Sequence, residues 1–346
     1  MRVKTTLNCF LQYLKILFCY LKFILFSFVN LKPFVNPSEK IDVVYLWADF
    51  TDLAWLKKRE CDRKRYLGFD SKIHRLPKPM DELKFSIRAL EMYFKDLNRI
   101  FIVTDKQVPE WLDVSNPRVK IVDHKDIVKD RLNLPSYNPL VIESYLHNIP
   151  GLKEDFLYFN DDFFLNAPCS AKDFFIKDGI RPRLGRKVAE KGDLGENPDH
   201  HTIAIKNSDL LLDRDFKPES RLTMAHRPQP LKKSFMRRCE CLYPKEFEVT
   251  RKGHFRSEMR YVLHSHLLSY LYYYEGKTSF IINLMEKDMF YWSNDLSKNK
   301  LLYGQFKKQR SFCIQENWGI HLNVKAIKQF NQLMSELFPK KSSFEK

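Results

Sequence analysis

The sequence predicts an α/β fold: a mainly parallel sheet flanked by helices, with a helical C-terminal part and an N-terminal amphipathic helix. Three observations carry this reading. Short apolar runs of strand length recur in the first half of the chain, separated by segments with helical spacing. Most of those runs are apolar on consecutive residues instead of alternating, as strands buried on both faces are. An acidic or amide residue stands at or just beyond the end of each, and ligands gather at that carboxyl edge of a parallel sheet.

The elements follow in order. Residues 9–36 are the most apolar stretch, interrupted by Lys15 and Lys22. Asn8, Lys15 and Lys22 recur every seven residues, which stacks them into a narrow polar stripe on a wide apolar helix. That pattern predicts a helix lying in the plane of a membrane, its lysines toward lipid phosphates. A snorkelling transmembrane span is the rival. No small-residue cleavage site is seen, so a signal peptide is not expected. With the linker through Pro33 and Pro37, this unit occupies residues 1–40.

Residues 41–47, IDVVYLW, read as a buried strand followed at once by Asp49 and Asp52. From Asp81, an expected N-cap, apolar Leu83, Ile87, Leu90 and Phe94 keep helical spacing. Residues 99–104 and 118–122 are further strands, ending in Asp105 and Asp123. From Asn138, residues Ile142, Tyr145, Leu146 and Ile149 share one helical face. Residues 156–159, FLYF, end in Asn160, Asp161 and Asp162. This α/β core spans 41–180. Residues 181–202 hold few large apolar side chains and read as a mobile loop, which with its connector spans 181–220. The remainder, 221–346, is read as mostly helical, with Glu258 to Tyr274 and His321 to Phe338 in phase.

Composition bounds the partners. The 346 residues carry 59 Lys and Arg against 43 Asp and Glu, a net charge of +16. That excess favours an anionic partner: a phosphorylated substrate, an acidic membrane surface or nucleic acid. Only ten glycines occur, and neither a Walker sequence nor G-x-G-x-x-G is present. Seven scattered cysteines without a C-x-x-C pair suit reduced, packed thiols better than a disulfide framework.

The carboxylates give the first chemical signal. Asp161 and Asp162, pinned between two apolar runs, suit a hard cation such as Mg²⁺ or Mn²⁺. A turn or helix cap accounts equally well for the pair at this stage. Glycosyltransferases of the GT-A type hold a nucleotide diphosphate through such a strand end. Glu143 and His147, four residues apart, are either a helical surface pair or place Glu143 in a cleft.

Longer motifs carry a resemblance. FIVTDKQVPEWLDVSNPRVKIVDHKDI and LPSYNPLVIESYLHNIPGLKEDFLYFNDDFFL closely resemble the second conserved region of the Stealth family. IDVVYLW resembles the first region, AHRPQPLKKSFM through EFEVTRKGHFRSE the third, and FCIQEN with LFPKKSSFEK the fourth. The resemblance covers most of residues 41–346 and implies a Rossmann-like or GT-A-like catalytic domain there. Stealth proteins are sugar-phosphate transferases. The implied reaction moves a hexose 1-phosphate from a UDP-sugar donor to the hydroxyl of an oligo- or polysaccharide acceptor. A phosphodiester forms and UMP leaves. Where the motifs match, the resemblance makes Glu143, Asp162, His226 and Arg256 catalytic.

Roles follow from residue chemistry. Asp162, helped by Asp161, would hold the cation on the diphosphate. Arg256 offers a planar fork to phosphoryl oxygens. His226 can accept the acceptor's proton. Glu143 is expected to grip donor sugar hydroxyls. Asp49, Asn160, Arg88 and Lys232 are the substrate-binding candidates, and the carboxylate of the fourth region falls to Glu316. His264 and His266 read as structural. The expected location is the cytoplasm, peripheral on the inner face of a bacterial inner membrane. The rivals are a conventional glycosyltransferase that releases UDP, an inactive adaptor and a nucleic-acid-binding protein. No zinc-finger, helix-turn-helix or RNP-like motif supports a nucleic-acid partner.

Overall fold

The computed structural model describes residues 14, 16–23, 25, 40–68, 80–196, 198–256, 260–282, 286–287, 289–317 and 323–346. Its centre is a five-stranded sheet. β1 (Ile41–Leu46), β2 (Leu97–Thr104), β3 (Val119–Asp123) and β4 (Asp155–Asn160) run parallel in the order β4-β1-β2-β3. β1 is buried at all but its last residue, and β4 at all but its two ends. That burial explains their unbroken apolar character. The predicted α/β architecture is therefore present.

The order places β2 and β3 on one side of β1 and β4 on the other. A crevice opens at the carboxyl end of strands where the winding reverses. Leu46 and Asn160 are register partners at that end, so Asn160, Asp161 and Asp162 leave the sheet beside the crevice. The edge strand β8 (Gln229–Lys232) pairs antiparallel with β4. The three residues before it include His226, which is thereby delivered to the same end.

α1 (Leu53–Leu67) is capped by Asp52, whose carboxylate accepts from the amides of Ala54 and Trp55 and is held below its ordinary pKa by those bonds. Asp81 behaves differently from expectation. It precedes α2 (Glu82–Tyr93) in a left-handed conformation, φ 53°, and makes no side-chain cap bond. The helix expected from Asn138 is one short turn, α3 (Pro139–Glu143), followed by a 3₁₀ turn over Leu146–Asn148. The four face residues Ile142, Tyr145, Leu146 and Ile149 are nonetheless buried, as the spacing required.

The 181–220 span contains β6 (Leu184–Val188) and α4 (His200–Asp215); β6 pairs with β7 (Leu222–Met224). Beyond residue 221 the expected helices are joined by strands. β5 (Phe163–Leu165), β9 (Phe290–Ser293) and β10 (Ser311–Asn317) form a second sheet, with β10 central. It covers a separate apolar core built on Phe164, Trp292, Phe312 and Phe330. β5 follows β4 after only two residues, so Asp161 and Asp162 sit at the hinge between the two sheets.

The N-terminal helical residues 16–23 pack on the domain. Cys19, Tyr20 and Phe23 are buried, and the Phe23 ring lies 5.4 Å from Tyr273 and 5.2 Å from Phe280. Lys22 forms an ion pair with Glu219 and lies over the Tyr273 ring. This corrects one expectation: Lys22 points into the protein, because Glu219 offers it a partly buried carboxylate. Leu14, Leu17, Phe18, Leu21 and Leu25 form the outward row instead. Asn8 and Lys15 lie outside the described residues. Among the described residues no helix is long and apolar enough to cross a membrane.

Candidate active site

A cavity of about 470 Å³ opens at the carboxyl end of β4. Glu143, His226 and Arg256, from three segments remote in sequence, all line it, as does Asn160. Asp162 adjoins His226: a donor atom of each lies within 4.8 Å. The four residues assigned by motif therefore share one site.

Glu143 ends α3 and is buried. Its Oε1 lies 2.8 Å from the Tyr158 hydroxyl, which also stands 2.7 Å from Asn160 Oδ1. One phenolic proton thus serves two acceptors. Burial, then Glu143, pushes the Tyr158 phenol well above its ordinary pKa, so it stays a donor. Glu143 Oε2 lies 3.2 Å from His264 Nδ1, within ion-pair range but out of hydrogen-bond alignment. Glu143 and His147 are not a surface pair. The helix stops between them, and His147 pairs with Glu240 at 2.9 Å.

An acidic cluster adjoins the cavity at His226 without lining it. Burial, followed by mutual repulsion, raises the carboxyls of Glu82 and Asp162; burial, with Glu316 adding to it, raises that of Asp161. Asp162 Oδ2 lies 3.2 Å from the Cys313 thiol, whereas Oδ1 is buried without a hydrogen-bond partner. Crowded carboxyls and one unbonded buried oxygen fit a hard divalent cation, Mg²⁺ or Mn²⁺. Glu316 is drawn to this cluster by β10, as the fourth motif implied.

Cationic and histidine groups complete the cavity. Arg256 and Arg260 both line it, together with Lys187 and His201. Arg260 Nη1 donates to Asn138 Oδ1 at 3.1 Å, and burial beside Arg256 lowers its pKa to about 10. His226 sits edge-on to Phe163 at 5.1 Å; burial lowers its pKa to about 4 and leaves a neutral imidazole. His201 and His264 are lowered too, chiefly by burial.

Three candidates fall elsewhere. Arg88 grips Glu345 with two bonds of 2.8 and 2.7 Å, tying α2 to the C-terminal segment. Lys232 pairs with Asp155 beside the rings of Phe175 and Phe235. Asp49 orders its own loop, accepting from Thr51 N and Oγ1 at 2.7 and 2.6 Å. None of the three lines the cavity. Each is occupied by a structural partner, which single-chain motif reading does not reveal.

The sequence reading missed His201, Arg260 and the lining role of His264 and His266. His264 and His266 belong to a π-helical turn, Leu263–Leu267, a local geometry frequent at functional sites. His266 contacts the buried Asp209 at 3.0 Å. Their aromatic surroundings in sequence pointed only to packing.

Comparison with known proteins places the chain beside polysaccharide phosphotransferases in sequence similarity. Residues 77–182 match the family model described as Stealth protein CR2, conserved region 2. An exopolysaccharide phosphotransferase from Streptomyces coelicolor is 31% identical, over 88% of this chain and 52% of that protein. The capsular polysaccharide phosphotransferase SacB from Neisseria meningitidis serogroup A is 30% identical, over 88% of this chain and 57% of that protein. The chain thus spans little more than half the length of these relatives. The glycosyltransferase GlyE from Streptococcus pneumoniae superposes with a TM-score of 0.37 at 10% identity, covering 89% of this chain and 65% of that one, a likeness too loose to inform the chemistry.

Proposed function

The chain carries the second conserved region of the Stealth proteins, and from that premise we propose that it is a sugar-phosphate transferase acting on a polysaccharide. The donor is a UDP-sugar. The unit moved is a hexose 1-phosphate, in particular an N-acetylhexosamine 1-phosphate, and the acceptor is a sugar hydroxyl of a bacterial surface polysaccharide. The observation that carries this reading is the convergence of Glu143, His226 and Arg256 on one cavity beside Asp162.

The residues divide the work. The acceptor oxygen bonds to the phosphorus next to the donor sugar, and the bond from that phosphorus to the UMP oxygen breaks. His226, neutral at physiological pH, takes the acceptor's proton. Arg256 places its planar fork on the phosphoryl oxygens, with Arg260 adding positive charge behind it. Glu143, held between Tyr158 and His264, accepts from hydroxyls of the donor sugar, and Asn160 borders the same surface. Asp161 and Asp162 would hold a divalent cation, with Glu82 and Glu316 beside them. Such an ion supplies charge neutralisation for the diphosphate.

The outward row of Leu14, Leu17, Phe18, Leu21 and Leu25 supports peripheral attachment to an anionic membrane, on the cytoplasmic face where nucleotide sugars are supplied. The reaction is tested by incubating the protein with UDP-sugars and a defined acceptor. Phosphorus-31 resonances of a phosphodiester in the product support the assignment. A product with only glycosidic linkages identifies a conventional glycosyltransferase instead.

A further inference from the structure

Beside the oxygen-rich cation site lies a donor set of a different chemical character. Asp162, His226 and Cys313 each offer one ligand atom, and the three atoms lie within 4.8 Å of one another. They come from three segments: the end of β4, the approach to β8 and the centre of β10. The amide of Ile314 donates to the Asp162 carbonyl at 3.1 Å, and Cys313 is the register partner of Phe163. Cys313 is thereby fixed under Asp162, its Sγ 3.2 Å from Oδ2.

Metal chemistry separates this trio from its neighbours. Mg²⁺ takes oxygen ligands in octahedral geometry and is a poor partner for sulfur. A carboxylate, an imidazole and a thiolate instead match the three protein ligands of an open tetrahedral Zn²⁺ site. With bonds of about 2.0 to 2.3 Å, tetrahedral ligand atoms stand roughly 3.5 Å apart. Side-chain movements of about 1 Å bring the trio to that spacing.

We propose that Asp162, His226 and Cys313 form a site for a thiophilic divalent cation of the Zn²⁺ class, and that its occupation inhibits sugar-phosphate transfer. Zn²⁺ bound there takes the His226 lone pair and Asp162 at once, and so removes the base and the carboxylate from the reaction. The Zn–S bond forms as the Cys313 thiol gives its proton to solvent; nothing is oxidised or reduced. The inhibitory half rests on the function proposed above, whereas the binding half does not.

The test uses the full chain with the exposed Cys61 and Cys241 replaced by serine. Co²⁺ serves as the optical probe and Zn²⁺ as the calorimetric one. The expected spectrum has tetrahedral ligand-field bands and a thiolate-to-cobalt charge-transfer band in the near ultraviolet. Zn²⁺ titrations in buffers of different ionisation enthalpy should show net proton release on binding. Cys313→Ser, which keeps a hydroxyl next to Asp162, should lose the charge-transfer band and weaken Zn²⁺ binding at least roughly tenfold, with an unchanged melting curve in the absence of metal. Zn²⁺ should also suppress Mg²⁺-supported transfer, and a chelator selective for zinc should restore it.

An octahedral Co²⁺ spectrum without a thiolate band would overturn the site, as would equal Zn²⁺ affinity in Cys313→Ser. A thiolate band accompanied by undiminished Mg²⁺-supported transfer would overturn the inhibitory role. A protein with the band but no transfer from any UDP-sugar would uphold the site and refute the proposed reaction.

Discussion

The cavity and the acidic cluster beside it handle negative charge differently. In the cavity Glu143 accepts from the Tyr158 hydroxyl on Oε1 and faces His264 Nδ1 with Oε2. In the cluster Asp161 and Asp162 crowd Glu82 and Glu316, and Asp162 Oδ1 has no hydrogen-bond partner. A buried carboxylate without compensation is costly, and burial raises its pKa to limit that cost. The cavity, with its Glu143 carboxylate bonded to Tyr158, suits a hydroxyl-rich ligand. The crowded cluster suits positive charge from outside the chain.

The sharpest break of this contrast is Asp162→Asn. It should reduce transfer to background, yet raise the stability of the cation-free protein by about 1 kcal/mol, because one of the repelling carboxyls becomes neutral. The wild-type protein should gain stability on adding Mg²⁺, roughly 2.7 kcal/mol at a hundredfold excess over its dissociation constant. Asp162→Asn should lose most of that gain. Loss of transfer together with destabilisation of the cation-free form would argue for an ordinary structural aspartate.

His226→Ala should slow the chemical step on the order of 10² to 10⁴-fold while leaving donor affinity near normal. Arg256→Lys should also be poor, since a point charge cannot reproduce the planar fork. Single-turnover rates measured beside UDP-sugar binding separate the two variants. Wild-type rates in His226→Ala would take the histidine out of the mechanism.

The cavity histidines and the clustered carboxyls should also titrate with opposite sign. His201, His226 and His264 have folded pKa values below the ordinary 6.5, down to about 4 for His226. The unfolded chain therefore binds their protons more readily. Their contribution to stability is complete above pH 6.5 and is lost as pH falls toward 4. Glu82, Asp161 and Asp162 have folded pKa values above the ordinary ones. In the absence of a cation, their contribution is present at low pH and is lost as pH rises through those raised values. Melting curves across this range, repeated with Mg²⁺, should show the high-pH loss disappear and the low-pH loss persist.

Much of this contrast was legible in the sequence, because apolar strands ending in acidic residues constrain where those residues go. The Asn160, Asp161 and Asp162 triplet was found that way, whereas Glu143, His226 and Arg256 came from resemblance to the family motifs. What stayed hidden depended on tertiary partners. Arg88 reads as a free cation until Glu345, far along the chain, is folded against it. His264 and His266 read as packing residues because an aromatic segment gives no sign of a π-helical turn. The second sheet was missed because β5 and β9 are only three and four residues long, too short to show a period.

The N-terminal helix supplies the smallest expected effect on chemistry. Deleting residues 1–36 would uncover Tyr273 and Phe280, so point changes are the better probe. Phe18→Ser with Leu21→Ser should release the protein from anionic vesicles and leave transfer to a soluble acceptor intact. Phe23→Ala should instead cost about 3 to 5 kcal/mol of stability. Unchanged vesicle binding in the double variant would remove the outward row from membrane attachment.

The central claim is that phosphate travels with the sugar. A UDP-sugar carrying ³²P only in its β-phosphate decides this in one turnover with an acceptor. Transfer of the label to the polysaccharide, with unlabelled UMP released, is the expected result. Label retained in UDP, with sugar alone on the acceptor, would contradict it.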